Sequence, residues 1–418
     1  MRLPQRTSRE YIGVVRRRPV LIVLLCAAAV SVFVWFSPFS ATTYIAELPV
    51  AGEMTPESEP PVAHLPTPEQ LKAIYMTSCV AGTPAFRAEL VRLIDETELN
   101  AVVIDIKDYS GYLSFVPKDE ALKDSISPRC VARDMKEFLK TLHDKSIYII
   151  GRITVFQDPV LTKRRPELSV KKKSDGTTWK DYKGLSFTDP GAKDVWDYHV
   201  AIAKEAYAIG FDELNFDYIR FPSDGPMSDI AFSWSGTRAK AEVLEEFFAY
   251  LSEQLKPTGA VISADLFGMT TTNTDDLNIG QVLERAEPYF DYISPMVYPS
   301  HYPPHFLGMD NPNHYPYEVV KYSMDSAVKR FLATTTPVSL RDVLPLATTT
   351  KPFLYPKEVQ EIHKLRPWLQ DFDYGGTYDI PEVKAQIQAV YDAGLTSWML
   401  WAPSNHYTRG ALLPRRKD

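Results

Sequence analysis

The chain contains the stretch Gly210-Phe211-Asp212-Glu213-Leu214-Asn215-Phe216-Asp217-Tyr218-Ile219-Arg220. Its apolar side chains largely alternate with polar ones, which is typical of a short strand, and Phe221-Pro222 ends the pattern. Helix-like patterns precede and follow this strand. In a barrel of alternating strands and helices, catalytic residues lie at the C-terminal ends of the strands. Asp217 is therefore the first candidate catalytic residue.

Strand-like and helix-like segments alternate from Leu71 onward. The predicted strands cover residues 71–76, 101–106, 147–156, the opening stretch, 260–267, 292–298, 367–372 and 397–401. Helices are predicted over residues 84–96, 134–144, 194–209, 237–256, 279–286, 317–332 and 381–393. Eight such units predict an α/β protein with a (β/α)8 TIM barrel over residues 69–412. A doubly wound open sheet is the alternative, but no Gly-rich phosphate loop follows an early strand.

The residues before the barrel are predicted to form an anchor and a linker. Residues 1–18 are basic and end in Arg16-Arg17-Arg18, and the apolar run 19–36 is about long enough to span a bilayer. A cleaved signal peptide is the alternative, but no small-x-small site follows the run. Residues 37–68 are rich in Pro, Glu and Thr, as linkers are. This predicts a single-pass protein of the cell membrane with its barrel on the extracytoplasmic side.

The composition narrows the classes of partner. The net charge is −7 and no long basic face is evident, so nucleic acid is not expected as a partner. The 23 Tyr and 7 Trp residues suit a surface that stacks against sugar rings, although an aromatic-rich core would explain them equally well. No Cys/His spacing typical of a metal site occurs, and no cofactor is predicted.

Two cysteines lie in the predicted extracytoplasmic part. Cys79 follows the first predicted strand and Cys130 precedes the second long helix. Both are expected on the same face of the barrel, and an oxidising compartment permits a disulfide between them.

Polar and aromatic side chains collect at the predicted strand ends. Cleavage of a glycosidic bond needs two carboxyl groups, and Asp217 and Asp265 are the predicted catalytic pair. The predicted substrate contacts are Asp105, Lys107, Arg220, Tyr298, His301, Trp368, Asp371 and Trp401.

Several of these residues have structural alternatives. Asp217 could simply pair with Arg220, and Asp265 could cap the following loop. Asp105 could be a buried acid linked to Lys107 or Arg152, and Trp401 could close the barrel core. The polar insertion 158–191 is predicted to be a surface loop, either a lid or a solvated flap.

The chain resembles a bacterial family of TIM-barrel domains known as the putative glycosyl hydrolase domain family, over roughly residues 71–412. The resemblance rests on five motifs, which are 103–108, 211–222, 263–268, 293–302 and 366–372. It implies the barrel and the reaction class but not a substrate. The fourth strand is also similar to that of chitinase-type glycosidases, except that Ile219 stands where their catalytic Glu is expected.

These observations predict a membrane-anchored glycoside hydrolase that acts on an extracytoplasmic polysaccharide or cell-wall glycan. The alternative is a catalytically silent barrel that binds such glycans and needs no acid pair. A metal-dependent hydrolase is a third possibility, but the histidines lack ligand spacing.

Overall fold

The computed structural model describes residues 62–339 and 354–415. Eight parallel strands close into a barrel in which each strand pairs with its neighbours in chain order and the last pairs with the first. The strands are β1 (Lys72–Met76), β2 (Ala101–Lys107), β3 (Tyr148–Thr154), β4 (Glu213–Asp217), β5 (Val261–Phe267), β6 (Tyr292–Met296), β7 (Trp368–Gln370) and β8 (Trp398–Trp401). The predicted TIM barrel is confirmed.

Helices follow the strands around the barrel. They are α1 (Ser78–Ala81), α2 (Pro84–Glu96), α3 (Met135–His143), α4 (Pro159–Arg164), α5 (Lys193–Ile209), α6 (Lys240–Leu255), α7 (Leu283–Ala286), α8 (Pro316–Phe331) and α9 (Ile380–Asp392). The predicted helix 279–286 is reduced to α7. Gly280, near the start of the predicted helix, has a φ of 85°, and this left-handed backbone cannot be part of a right-handed helix.

The barrel interior is filled by side chains rather than open to solvent. Ala73, Val103, Ile150, Trp368 and Met399 form one buried cluster inside the strands. A larger apolar cluster lies between the strands and the surrounding helices. This filling leaves the ends of the strands as the place where a ligand can reach the barrel.

The chain enters the barrel at the N-terminal end of the strands. The amide of Leu65 donates a 2.8 Å hydrogen bond to Asp212, which directly precedes β4. His64 stacks on Tyr207 of α5 with 4.0 Å between ring centroids. Residues at the end of the predicted linker therefore pack against the barrel.

The predicted membrane anchor, residues 19–36, lies outside the described residues. Within residues 62–339 and 354–415, no helix combines the length and apolar character needed to cross a bilayer.

The insertion after β3 is packed rather than a solvated flap. It contains α4, and residues 171–172 pair antiparallel with residues 230–231. Trp179 is fully buried in a cluster with Phe187 and Ile230. At the start of the insertion, a buried ion pair of 2.9 Å joins Asp158 to Lys107. Residues 163–167, 173–177 and 182–184 of the insertion are exposed, the last of these in the turn 181–185.

Cys79 in α1 and Cys130 form a disulfide with their Cα atoms 4.2 Å apart. The bond ties the segment after β1 to the loop that precedes α3.

Candidate active site

Arg152 lies at the centre of a buried cluster of carboxylates. It projects from β3, and its register neighbours are Asp105 on β2 and Asn215 on β4. Its guanidinium donates to Asp217 at 3.1 Å from Nε and 2.5 Å from Nη2, and to Asp105 at 2.6 Å from Nη1. The guanidinium of Arg152 thus holds one carboxylate from each of the strands that flank β3, namely β2 and β4, in a fixed orientation.

Asp265 completes the cluster from β5. Its Oδ1 accepts hydrogen bonds from Asn215 at 2.9 Å and from the Trp368 indole at 2.8 Å. Its Oδ2 lies 3.8 Å from Arg152 Nε and has no hydrogen-bond partner among the described residues. Burial, together with the negative charge of Asp217, raises the pKa of Asp265 well above its ordinary value. The raised pKa favours the protonated form of Asp265.

Asp105 is a second acid with an altered titration. Burial raises its pKa to about 6, opposed by the charge of Arg152. The hydroxyl of Tyr75 donates to its Oδ2 at 2.5 Å. Tyr75 in turn stacks on Trp401 with 3.9 Å between ring centroids. Asp105 therefore links the cluster to the aromatic side chains of Tyr75 on β1 and Trp401 on β8.

The backbone at Tyr218 is strained next to the cluster. Its φ is 52°, in the left-handed region that costs an aromatic residue on the order of 1 kcal/mol. This conformation directs the Tyr218 amide back to the carboxylate of Asp217, which accepts its hydrogen bond at 2.5 Å. The strain thus helps to fix the orientation of Asp217.

Two clefts open at the mouth of the barrel. Cleft A, about 700 Å³, is lined by residues that follow β6, β7 and β8, among them Tyr298, His301, Asp371, Tyr374 and Trp401. Cleft B, about 410 Å³, is lined by residues that follow β2, β3 and β4, among them Tyr109, Gln157, Tyr218 and Arg220. Lys183 lines both clefts.

The carboxylates lie beneath and between the clefts instead of lining them. Asp217 is 4% exposed and Asp265 is 1% exposed. Asp217 directly precedes Tyr218 of cleft B, and the Arg152 guanidinium lies 5.0 Å from the ring centroid of Trp401 in cleft A. Burial and the nearby Asp265 and Asp217 carboxylates raise the pKa of the Tyr298 phenol.

The structure brings most of the predicted site residues to the mouth of the barrel. Tyr298, His301, Asp371 and Trp401 line cleft A, whereas Arg220 lines cleft B. Asp371 accepts hydrogen bonds from the Thr408 amide and hydroxyl at 2.9 and 2.7 Å, which hold the loop after β8.

Two of the predicted substrate contacts are buried, and the alternative in which Asp217 pairs with Arg220 differs from the structure. Lys107 is fully buried and pairs with Asp158, so it supports the insertion and is not placed to touch a substrate. Trp368 is also fully buried, and it supports Asp265 from below. Arg220 donates to Phe221 O and Ser223 Oγ, and the partner of Asp217 is Arg152 instead.

Sequence reasoning missed the central position of Arg152 and the contribution of Tyr75. Both residues lie among apolar residues in buried strands. A charged residue in such a strand, as Arg152 is, indicates that an oppositely charged partner lies nearby. No group of three or more His, Cys, Asp or Glu residues in the described ranges is arranged to hold a metal ion.

An eight-stranded barrel with acids and aromatic clefts at its mouth has the architecture of a glycoside hydrolase. The chain belongs to the family described as "Putative glycosyl hydrolase domain", whose model matches residues 73–407. The predicted family and enzyme class are confirmed. A comparison with curated proteins finds no match.

Several solved structures are similar to this chain. The PgaB (BpsB) glycoside hydrolase domain from Bordetella bronchiseptica is 13% identical, with 82% of this chain and 98% of that chain covered and a TM-score of 0.56. A hypothetical protein from Ruminiclostridium thermocellum ATCC 27405 is 40% identical over 46% of this chain and 96% of its own, with a TM-score of 0.42. A GH18 chitinase from Pseudoalteromonas aurantia is 13% identical over 80% of this chain and 95% of its own, and its TM-score of 0.43 is too low to support a shared mechanism.

Proposed function

We propose that this protein is a membrane-anchored glycoside hydrolase that cleaves an extracytoplasmic polysaccharide with Asp217 and Asp265. The observation that carries this proposal is the unequal environment of the two acids. Asp217 is ion-paired with Arg152, whereas the pKa of Asp265 is raised by burial and by the charge of Asp217. Two neighbouring carboxyl groups in different protonation states are what glycosidic cleavage requires.

In this proposal Asp265 is the general acid and Asp217 is the nucleophile. The proton of Asp265 passes to the glycosidic oxygen as the bond to the leaving sugar breaks. A carboxylate oxygen of Asp217 forms a bond to the anomeric carbon, and water then hydrolyses this ester with Asp265 as the base. Both carboxyl groups approach Arg152 Nε, at 3.1 and 3.8 Å. The covalent intermediate in this proposal leads to retention of configuration, for which the two carboxyl groups lie about 5 Å apart.

Aromatic side chains in cleft A supply the surface for the sugar. The Trp401 and Tyr298 side chains lie beside the cluster, and the Tyr374 side chain is 64% exposed at the rim. Flat rings of this kind pack against the apolar faces of sugars while their polar tips remain hydrogen-bonded. The polar side chains in the same cleft include His301 and Asp371.

Residues 64–65 meet the barrel at the face opposite its mouth. Leu65 is bound at Asp212, before β4, whereas the clefts lie after the C-terminal ends of the strands. The membrane anchor at residues 19–36 is proposed from the sequence alone.

The second candidate function is a glycan-binding barrel without turnover. It is favoured by the low exposure of both acids, 4% for Asp217 and 1% for Asp265. A binding module would keep the aromatic clefts and would use the carboxylates only to stabilise Arg152.

Reducing-sugar release from bacterial exopolysaccharides and peptidoglycan separates these functions. We expect the full chain in detergent to release reducing ends from at least one glycan, and Asp217→Asn to bind that glycan without releasing them. Asp310→Asn, at a fully exposed carboxylate, is the matched control and should behave as the parent. Glycan binding without release by both the parent and Asp217→Asn would favour the binding module.

A further inference from the structure

Clefts A and B occupy opposite halves of the barrel mouth. Cleft A is lined by residues after β6, β7 and β8, and cleft B by residues after β2, β3 and β4. Because the strands pair in chain order around a closed barrel, these two sets of loops face each other across the mouth. Lys183, in the exposed turn of the insertion, lines both clefts and lies where they meet.

The carboxylate cluster lies between the two clefts. Tyr218, which lines cleft B, donates its amide hydrogen to Asp217. On the other side, Trp401 of cleft A lies 5.0 Å from the guanidinium of Arg152. A chain of sugars that crossed the mouth would therefore pass over the acids with part of its length in each cleft.

Cleft B has the features of a sugar-binding site although the catalytic proposal does not use it. Its volume of about 410 Å³ is within the range of ligand pockets. The Tyr109 side chain is 59% exposed at its edge, comparable with Tyr374 at the edge of cleft A. The amide nitrogen of Gln157 donates to the Tyr109 carbonyl at 3.1 Å, which fixes the loop that carries this ring.

Arg220 supplies polar contacts in the same cleft. Its Nη1 donates to Phe221 O at 3.2 Å and Ser223 Oγ at 3.1 Å, and the guanidinium lies 5.1 Å from the ring centroid of Tyr218. Its remaining N–H groups can donate to sugar hydroxyls.

We propose that cleft B is a second glycan-binding subsite and that clefts A and B form one groove for an internal segment of a polysaccharide. The protein then cleaves within the chain rather than at its ends. This inference rests on the proposed function and deepens it, because it assigns cleft B to the part of the polysaccharide that cleft A does not hold.

The test uses the glycan that the parent cleaves, as the intact polymer and as a size-fractionated set of its oligosaccharides. The parent should lower the mean polymer length early in the reaction, as measured by size-exclusion chromatography with light scattering. Tyr109→Ala should lower kcat/KM on the polymer by about five- to tenfold. Its loss on the shortest cleaved oligosaccharides should be smaller because they fill less of cleft B.

Two variants serve as comparisons. Tyr374→Ala removes the corresponding ring of cleft A and should also weaken cleavage of the polymer. Tyr322→Ala removes a ring from α8 that is 44% exposed and lines neither cleft, so it should leave both activities unchanged. Release of single sugars or short units from the first minutes, without a fall in mean polymer length, would overturn the proposal. An equal effect of Tyr109→Ala on all substrate lengths would also overturn it.

A parent without turnover on any glycan would contradict the proposed function but would still leave the groove testable. Affinity electrophoresis of the full chain in gels that contain each polysaccharide then provides the measurement. Weaker retardation of Tyr109→Ala than of Tyr322→Ala would support the groove. Equal retardation of these variants, or none in any gel, would overturn it.

Discussion

At the scale of single residues, Arg152 determines the charge balance of the site. Its guanidinium is buried and contacts two carboxylates directly, from Asp105 and Asp217. Removal of one partner from such a cluster leaves uncompensated buried charge, which costs far more than the loss of an exposed ion pair. Arg152 therefore has a structural role in addition to any effect on catalysis.

We expect Arg152→Met to lower the free energy of unfolding by about 3–5 kcal/mol at neutral pH. The loss should be smaller near pH 4.5, because without the charge of Arg152 the pKa of Asp105 rises further above its ordinary value, and protonation then removes part of the unpaired charge. Urea unfolding at the two pH values provides the measurement. Arg409→Met, which breaks an exposed pair with Glu96, is the control and should cost less than about 1 kcal/mol. Equal losses for Arg152→Met at both pH values would be inconsistent with this explanation.

The raised pKa of Asp265 gives a second prediction, in which an amide replaces the acid. Because the folded state holds a proton that the unfolded chain releases, Asp265 favours folding most at low pH. This contribution is lost as the pH rises above the ordinary Asp value. Asp265→Asn mimics the protonated acid, so its stability relative to the parent should increase between pH 4 and pH 7.5 while catalysis is lost.

Chemical unfolding at these two pH values tests the second prediction. Asp310→Asn, at an exposed carboxylate, should show no such change relative to the parent. If Asp265→Asn lost stability relative to the parent as the pH rose, Asp265 would be charged in the folded protein.

The sequence places three acids at the strand ends and offers Arg152 as one possible partner of Asp105, but it does not predict that Arg152 also pairs with Asp217. Asp105, Asp217 and Asp265 were found because each lies near the C-terminal end of a predicted strand. The pairing of Asp217 with Arg152 instead of Arg220 depends on the register between β3 and β4 and on the left-handed backbone at Tyr218. Neither feature follows from an apolar pattern within one strand.

At the scale of the elements, the disulfide joins segments that are distant in sequence. Cys79 and Cys130 are separated by 51 residues, so the bond restricts the unfolded chain over a long loop. On the chain-entropy model, such a loop corresponds to about 4 kcal/mol of stabilisation.

We expect replacement of both cysteines by Ser to lower the free energy of unfolding by about 2–4 kcal/mol. Denaturant unfolding of the variant and of the parent, with and without reductant, measures this loss. Reductant should lower the stability of the parent and leave that of the double variant unchanged. No difference between the oxidised parent and the double variant would contradict a stabilising disulfide.

The predicted elements differ from the observed ones where the backbone departs from regular values. The strands were recognisable because buried parallel strands give continuous apolar runs, as in β2. The helix predicted over residues 279–286 was too long because Gly280, near its start, adopts positive φ. The packing of the insertion depends on distant partners, such as Lys107 with Asp158, which local composition does not reveal.

At the scale of the whole molecule, the barrel was predictable because eight strand–helix units leave few ways to bury all their apolar faces. The division of the barrel mouth into two clefts was not, because it depends on loops from six different strands and on the turn at Lys183. The anchor at residues 19–36 stays a prediction.

The central proposal is that Asp217 attacks the anomeric carbon while Asp265 donates the proton. The most direct test is the rate at which Asp217→Ala cleaves a glycan that the parent cleaves, with and without added azide, measured by chromatography of the oligosaccharide products. We expect a loss of at least about 1,000-fold, with partial recovery when azide enters the space left by the carboxylate. The recovered product should be a glycosyl azide of inverted configuration. An Asp217→Ala variant that kept more than about a tenth of the parent rate would contradict a catalytic role for Asp217.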